Sequence, residues 1–342
     1  MPAPRRRPGS ARRSPKPEPA PPPPRWKNPK ATTPRPAPNR PCPHATLLPV
    51  TALSDSQRER LTVALAQIAT CPGQLTHNLQ AHLWALEEAR KAKAELVIFP
   101  ELSLSGYLLG HGVLELAMDL EDSRLGRLRE ASRDTAILVG LPLREASGGI
   151  ANAAVLFDGG QVVGVHRKLY LPTYGMFDEG RYFVPGRSVA PLPWHRAHIG
   201  VLICEDAWHP TTASILVQRG AELLVMVAGG PSEIGGDDVP QGLKRWHWIV
   251  GATAITTVTP TFFANRCGWE EGILFSGGSW AVDGRGRTLG GPAPACDPAV
   301  IVAEVDLAAA RRHRTLSPIP QAERWELWQA EVERNRDELT RS

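Results

Sequence analysis

The chain has 342 residues, of which 42% are hydrophobic and 22% are charged, a balance typical of globular proteins with a buried core. The net charge of +4 arises in residues 1–44, which contain eleven Lys or Arg and a single acid, Glu18. The rest of the chain has 28 basic and 34 acidic residues, a net charge of −6, so we expect its folded part to bind no nucleic acid.

The beginning of the chain is rich in proline, because residues 1–44 contain sixteen of the 33 prolines. With few aliphatic side chains to bury, this segment is expected to stay disordered with polyproline II character, and we assign residues 1–54 to a tail. Its charge would suit an acidic partner or nucleic acid, but a solvated extension is the simpler interpretation. It has neither the apolar segment of a signal peptide nor the pattern of a transit peptide.

Hydrophobic periodicity after the tail predicts strands that alternate with helices. In chain order the strands are 61–69, 96–99, 136–143, 152–157, 161–166, 199–203, 223–227, 261–265, 279–283 and 300–305. The helices are 77–93, 125–134, 212–220, 241–256 and 322–339. This alternation predicts an α/β fold with about twelve strands, one domain over residues 55–320, and helices packed outside the sheet.

The C-terminal segment, residues 321–342, is rich in charge, and we expect its helix to be exposed or to lie at a subunit contact. No apolar run in the chain reaches the length of about 18 residues that a membrane helix needs, so we expect no contact with a membrane.

The chain has five cysteines, and we expect all of them to be reduced thiols. Their number is odd, their spacing is wide, and no C-x-x-C motif occurs; the cysteines are Cys42, Cys71, Cys204, Cys267 and Cys296. This pattern indicates a cytoplasmic protein and leaves a thiol available as a nucleophile. The histidines show no metal-ligand spacing, so we expect no metal and no other cofactor.

Three segments each place a reactive side chain directly after an apolar strand. They are FPELSLSGY with Glu101, HRKLYLP with Lys168, and GVLICEDAWHP with Cys204. In α/β sheets such positions face a crevice at the carboxyl ends of the strands. Covalent amide hydrolysis needs a nucleophile, a base and a donor for the oxyanion, which these three residue types can supply.

These segments resemble, in the same order, the Glu, Lys and Cys motifs of the nitrilase superfamily. The resemblance extends over about residues 61–320 and includes Asn265-Arg266 and the segment GGSWAVDGRG. It implies a four-layer α-β-β-α sandwich and a homo-oligomer. It also implies that Cys204 attacks a carbonyl carbon, that Glu101 transfers protons, and that Lys168 and the backbone N–H of Glu205 stabilise the oxyanion. A nearby ammonium and free N–H groups would favour the thiolate.

Glu179, in the segment YGMFDEGRYF, matches the second glutamate of that family, which positions substrate and supports proton transfer. A surface ion pair with Arg181 or Arg187 is the alternative interpretation. YGMFDEGRYF and CEDAWHP most resemble the glutaminase domains of glutamine-dependent NAD synthetases. This resemblance implies a glutamine-like or other short amide as substrate.

Further side chains next to these motifs are candidates for the walls of the substrate pocket. Tyr107, Tyr174 and Trp208 are aromatic, although core packing explains each of them equally well. Ser232, in VAGGPSEIGGDD, occupies the place of a serine-rich loop in the glutaminase domains. The extra glycines and acids around Ser232 depart from that pattern, so the preference for the side chain of the substrate stays open.

The segment Ser276-Gly277-Gly278-Ser279 lacks the aspartate of a pyrophosphate loop, so we expect no ATP site and a free-standing amidase domain. The predicted activity is cleavage of a small amide through a cysteine thioester, with release of ammonia. Alternatives on the same residues are a nitrilase, an N-carbamoyl amino acid hydrolase and an acyl transferase. Nitrilases more often continue the nucleophile as Cys-Trp-Glu, whereas this chain has Cys-Glu-Asp. An inactive scaffold protein is the alternative outside enzymes.

Overall fold

A computed structural model of the chain describes residues 60–232 and 240–341. The tail predicted for residues 1–54 lies outside this part of the chain. Within these ranges, no helix combines the length and the apolar character needed to cross a lipid bilayer.

The first sheet is built around the first strands of the chain. Its members are β1 (Arg60–Gln67), β2 (Leu96–Ile98), β3 (Ala136–Arg144), β4 (Ile150–Asp158), β5 (Gln161–Arg167) and β15 (Ala299–Asp306). Their order is β15-β1-β2-β3-β4-β5. β1, β2 and β3 run parallel, whereas β4, β5 and β15 pair antiparallel with their neighbours.

The second sheet follows the first along the chain. Its members are β6 (Leu192–Pro193), β7 (His198–Ile203), β8 (Leu223–Ala228), β10 (Thr261–Asn265), β13 (Trp280–Val282) and β14 (Thr288–Gly290). Their order is β14-β13-β10-β8-β7-β6. A small third sheet contains β9 (Pro231–Ser232), β11 (Cys267–Glu270) and β12 (Ile273–Ser276), in the order β11-β12-β9.

The chain has seven α-helices within the described residues. They are α1 (Leu75–Lys91), α2 (Val113–Leu116), α3 (Gly126–Ala131), α4 (Pro210–Gln218), α5 (Gln241–Thr257), α6 (Leu307–Leu316) and α7 (Trp325–Arg341). Four of them, α1, α3, α4 and α5, pack on the outer faces of the two large sheets. Leu86 of α1 and Leu128 of α3 pack into one apolar cluster with the first sheet. Leu216 of α4 and Val250 of α5 belong to a second cluster, which contains the core of the second sheet.

The alternation of side chains along β1 shows how the layers are joined. Leu61, Val63 and Leu65 point into the cluster shared with the second sheet, whereas Ala64 and Ala66 lie in the cluster with α1. Successive strand residues point to opposite faces, so a strand covered on both sides is apolar throughout. The fold is therefore the expected four-layer α-β-β-α sandwich.

Every strand and helix predicted from periodicity is present, with shifted ends. The helix expected at 322 begins instead at Trp325, because Pro320–Ala322 forms a separate 3-10 turn. The described residues contain fifteen strands rather than about twelve. Seven elements were not predicted, and most of them are too short to show a period; they are β6, β9, β11, β12, β14, α2 and α6.

Candidate active site

The three segments singled out by sequence meet between the two large sheets. Glu101 follows β2 and Lys168 follows β5 of the first sheet, whereas Cys204 follows β7 of the second. The Nζ atom of Lys168 lies 2.7 Å from Oε1 of Glu101. Cys204 is 6% exposed and lies close enough to both residues for their charges to shift its pKa. The fold thus brings one thiol, one carboxylate and one ammonium together.

The backbone that carries Glu101 is held in a narrow turn. Leu102 adopts a positive φ of 46°, which L-residues rarely adopt. Gly140 of β3 faces this turn, and a β-carbon there would lie 2.4 Å from the carbonyl oxygen of Pro100 and 2.5 Å from the amide nitrogen of Leu102. Gly140 is therefore required for the turn that orients Glu101.

Glu101 accepts three hydrogen bonds in addition to facing the thiol. Its Oε1 accepts hydrogen bonds from Nζ of Lys168 and, at 2.8 Å, from Nδ2 of Asn152. Its Oε2 accepts the backbone N–H of Gly229 at 2.9 Å. The backbone carbonyl of Asn152 also accepts the backbone N–H of Lys168 at 2.8 Å. Asn152 was missed by the sequence analysis, because an Asn within an apolar strand gives no signal of what it contacts. Glu101 is consequently locked in one orientation.

Lys168 is fully buried and bridges two carboxylates. Its Nζ lies 2.6 Å from Oε1 of Glu179 as well as 2.7 Å from Glu101. Burial alone would lower the pKa of Lys168, but the negative charges of Glu101 and Glu179 outweigh it and raise that pKa above its usual range. An ammonium has three N–H donors, so two are engaged here and one remains for a substrate oxygen.

Glu179 lies inside the site and not at the surface. The Tyr107 hydroxyl donates to its Oε1, and Arg181 lies 3.9 Å from Asp178 instead. The surface ion pair considered for Glu179 is therefore not formed with Arg181. Burial, with the nearby charge of Glu101, raises the pKa of Glu179 to about 7 against the opposing effects of Lys168 and Tyr107. Glu179 can thus change its charge near neutral pH.

Cys204 begins a 3-10 helix, Cys204–Trp208, in a strained conformation. Its φ is 47°, in the left-handed region, at a cost of about 1–3 kcal/mol for a residue other than glycine. Burial and the charge of Glu101 raise the pKa of the Cys204 thiol well above its usual range, although Lys168 opposes the shift. Burial therefore opposes the thiolate that the motifs led us to expect. Desolvation outweighs the ammonium, so the thiol keeps its proton until a base removes it.

Asp206 is a buried acid that the sequence analysis did not single out. Its Oδ1 accepts the backbone N–H groups of Leu169 at 2.9 Å and Tyr170 at 3.0 Å. Its Oδ2 accepts the N–H of Ile203 at 3.0 Å and lies 3.1 Å from Nε2 of His166. Asp206 thereby joins the loop that carries the lysine to the turn that carries the cysteine. The one available signal was a second acid directly after the nucleophile.

Glu205 follows Cys204 and is partly exposed at the surface. The hydroxyl of Tyr174 donates to its Oε2 at 2.7 Å, and burial together with this bond raises the pKa of Tyr174 to about 12. A cleft of about 470 Å³ is lined here by Tyr170, Pro172, Tyr174, Phe183, Glu205 and His209. The two residues predicted to contact substrate therefore contact each other at a surface opening.

Ser232 and Trp208 have different surroundings. Ser232 lies in β9, where it pairs with Leu274, and its buried hydroxyl has no hydrogen-bond partner among residues 60–232 and 240–341. Its substrate role stays a prediction. Trp208 is 43% exposed, and its ring meets that of Trp246 edge to face at 5.6 Å.

The family model described as carbon-nitrogen hydrolase matches this chain over residues 62–315. The chain therefore belongs to the carbon–nitrogen hydrolase family, and the resemblance to the nitrilase superfamily is confirmed.

Among curated relatives, the glutamine-dependent NAD(+) synthetase of Thermotoga maritima is 30% identical over 237 residues, which are 68% of this chain and 40% of that protein. The same enzyme of Acinetobacter baylyi is 28% identical over 283 residues, 82% of this chain and 50% of that protein. The chain thus spans about half the length, or less, of these relatives.

Two solved structures have a similar fold. The glutamine-dependent NAD+ synthetase from Acinetobacter baumannii superposes with a TM-score of 0.65 at 28% identity, over 73% of this chain and 46% of that one. The amidase from Nesterenkonia sp. AN1 superposes with a TM-score of 0.66 at 27% identity, over 79% of this chain and 99% of that one.

Proposed function

We propose that this chain is an amidase, which hydrolyses a small amide through a thioester on Cys204. The observation that carries the proposal is the buried Lys168 ammonium, which bridges Glu101 and Glu179 beside the thiol. A buried charged cluster is costly to maintain, and such clusters occur preferentially where chemistry requires them. Base, nucleophile and oxyanion donor are all present within it.

In the acylation step, Glu101 takes the proton of the Cys204 thiol as the sulfur attacks the carbonyl carbon of the amide. The carbonyl oxygen becomes negative and accepts the remaining N–H of Lys168. Glu101 then gives its proton to the amide nitrogen, the C–N bond breaks, and ammonia leaves. The product of this step is a thioester between Cys204 and the acyl group.

In the deacylation step, Glu101 is again unprotonated and removes a proton from water, which attacks the thioester carbon. Lys168 stabilises the second oxyanion in the same position. The C–S bond breaks, the sulfur takes the proton from Glu101, and the acid product leaves. Glu179 keeps Lys168 oriented through both steps.

The cleft lined by Glu205 and Tyr174 supports a proposal for the substrate class. Glu205 places a carboxylate there, one residue after Cys204, with Tyr174 hydrogen-bonded to it. A carboxylate at a surface opening favours the ammonium group of an amino-acid amide over a purely aliphatic amide. The relatives described as glutamine-dependent also support a glutamine-like substrate.

The decisive experiment measures ammonia release from glutamine, short aliphatic amides, N-carbamoyl amino acids and nitriles. We expect the largest kcat/KM with glutamine or another short amide. Cys204→Ala should abolish turnover of every substrate while the circular dichroism stays unchanged. Cys71→Ala, at a partly exposed thiol outside the site, is the matched control and should keep full activity. Turnover retained by Cys204→Ala would refute the thioester.

A thiol reagent separates an active site from an inactive scaffold. In a mutant of the Nesterenkonia amidase, acrylamide has added to the active-site cysteine. We expect acrylamide or iodoacetamide to modify Cys204 faster than Cys71 or Cys296, although Cys204 is more buried. Equal or slower modification of Cys204, measured by mass spectrometry of peptides, would favour the scaffold.

A further inference from the structure

Arg266, the residue before β11, and Glu270, the last residue of β11, form a buried ion pair. Arg266 is 1% exposed and Glu270 is 2% exposed, and Nη2 of Arg266 contacts Oε2 of Glu270. A buried pair of charges costs desolvation free energy that apolar residues of the same size would not. We therefore expect the pair to have a role other than stabilising the small third sheet.

Glu270 reaches across to the loop that follows the catalytic glutamate. Its Oε1 accepts the backbone N–H of Tyr107 at 2.9 Å and that of Leu108. These groups are separated by more than 160 residues along the chain. One carboxylate oxygen therefore holds two successive peptide groups in place, and the other is held by Arg266.

Arg266 supports the same loop by a second route. Its guanidinium lies over the ring of Phe275 at 4.0 Å, and the Phe275 ring lies 6.2 Å from the ring of Tyr107. Nη2 of Arg266 also donates to the carbonyl of Thr70 at 3.2 Å. The backbone and the ring of Tyr107 are thus both fixed by this ion pair and its neighbours.

We propose that Glu270, held by Arg266, is a positioning residue that fixes Tyr107 so that its hydroxyl stays hydrogen-bonded to Glu179. The inference rests on the proposed function for its meaning in catalysis, because Glu179 orients Lys168. Glu270 and Arg266 themselves form no hydrogen bond or ion pair with Cys204 or Lys168 in the part of the chain that the structure describes.

The consequence is electrostatic, since Glu179 titrates near neutral pH. The charged and titratable groups that face it are Lys168, Glu101, Tyr107 and Cys204. The hydrogen bond from Tyr107 favours the charged form of Glu179 and lowers its pKa. When Tyr107 is displaced, the charged form loses that bond, so the pKa of Glu179 rises above about 7.

The test measures the protonation of Glu179 directly. Infrared difference spectra with Glu179→Gln as reference isolate the carboxylic acid band of Glu179, whose pH titration needs no substrate. We expect Tyr107→Phe to raise the midpoint by about one pH unit, as the loss of one hydrogen bond to a charged group predicts. Glu270→Gln should shift it in the same direction, because its single amide oxygen cannot serve Arg266 and both backbone groups.

A double-mutant cycle distinguishes positioning from a structural effect. In the Tyr107→Phe background, Glu270→Gln should add no further shift, because its effect acts through Tyr107. An additive shift, or no shift in Glu270→Gln alone, would overturn the proposal. Glu222→Gln removes an ion pair with Arg311 elsewhere and should leave the midpoint unchanged.

A second variant covers the case in which Glu270→Gln fails to fold. Arg266→Leu with Glu270→Leu removes both charges and leaves neither one buried alone, a replacement that proteins often tolerate. It should reproduce the shift of Tyr107→Phe, and an unshifted titration in it would refute the inference. Absence of amide turnover in the unmodified protein would count against the proposed function only, since the infrared titration is independent of it.

Discussion

Asp206 accepts the backbone N–H of Leu169 at 2.9 Å and that of Tyr170 at 3.0 Å, and these bonds join the segment after Lys168 to the turn that begins at Cys204. The two segments belong to different sheets, so their relative position depends on the packing of the sandwich. The hydrogen bonds of Asp206 fix the position of the Cys204 turn relative to the segment that carries Lys168.

Replacement of Asp206 by Asn should therefore reduce activity and stability together. The side-chain oxygen of Asn can accept only some of the hydrogen bonds that Asp206 accepts. The NH₂ group of Asn is a donor, so it repels the backbone N–H groups that faced the second oxygen. We expect kcat to fall by about tenfold or more and the free energy of unfolding to fall by about 1–3 kcal/mol. Urea unfolding and ammonia release measure the two effects. Asp158→Asn, whose partner His195 is exposed, should change neither, and equal effects in both variants would contradict the role of Asp206.

Gly140→Ala should displace Glu101. The new β-carbon would lie 2.4 Å from the oxygen of Pro100, so the turn must move. We expect a loss of about 1–3 kcal/mol in the free energy of unfolding and a large loss of kcat. Gly126→Ala in α3, with open space around the added carbon, is the control and should keep or slightly raise stability. A Gly140→Ala protein with full activity would show that the turn is not required.

Activity should rise with pH through the titration of Glu179. Its pKa is raised to about 7, and its charged form holds Lys168, so kcat/KM should be half-maximal near pH 7 and fall as Glu179 is protonated below it. Glu179→Gln should have lower activity at every pH and no longer show this acidic limb. Ammonia release between pH 5 and 9 measures both profiles. An acidic limb unchanged in Glu179→Gln would assign the titration to another group.

His82 should make stability depend on pH below neutrality. Burial lowers the pKa of His82 from 6.5 to about 4, so the folded protein favours the neutral ring. The unfolded chain binds the proton more readily, and stability present above pH 6.5 is lost as the pH falls towards 4. At pH 5 the loss relative to pH 7 should be about 2 kcal/mol.

The measurement is urea unfolding at pH 7 and pH 5 with His82→Gln, which should lose this part of the pH dependence. The side chain lies 3.0 Å from the hydroxyl of Ser103, two residues after Glu101, so the variant should also be less stable at pH 7. His195→Gln, at an exposed site, should retain the wild-type pH dependence. The same dependence in both variants would exclude His82 as its source.

The positions of the candidate catalytic residues could be predicted because each follows a strand whose apolar run is visible in the sequence. Glu101, Lys168 and Cys204 satisfy that pattern and also match residue types that amide hydrolysis requires. The four-layer architecture came from the resemblance, since periodicity alone predicts strands and helices but not how sheets stack. Short strands such as β9 and β12 have too few residues to show a period.

The supporting residues could not be predicted, because their roles depend on contacts between distant segments. In the sequence, Asn152 is one polar residue in an apolar strand, and nothing around Gly140 shows that it faces the turn at Glu101. Glu179 remained ambiguous until its burial was known. The pKa of Cys204 was expected to fall, since its charged neighbours can be read from motifs whereas the extent of its desolvation cannot.

The left-handed backbone conformation of Cys204 affects which residues selection would favour at this position. Glycine adopts that conformation without penalty, so Cys204→Gly should give a more robust scaffold than Cys204→Ala. Selection for stability alone would favour glycine at position 204, and the thiol would then be lost. The sulfur thus occupies a place where the needs of folding and those of reactivity oppose each other.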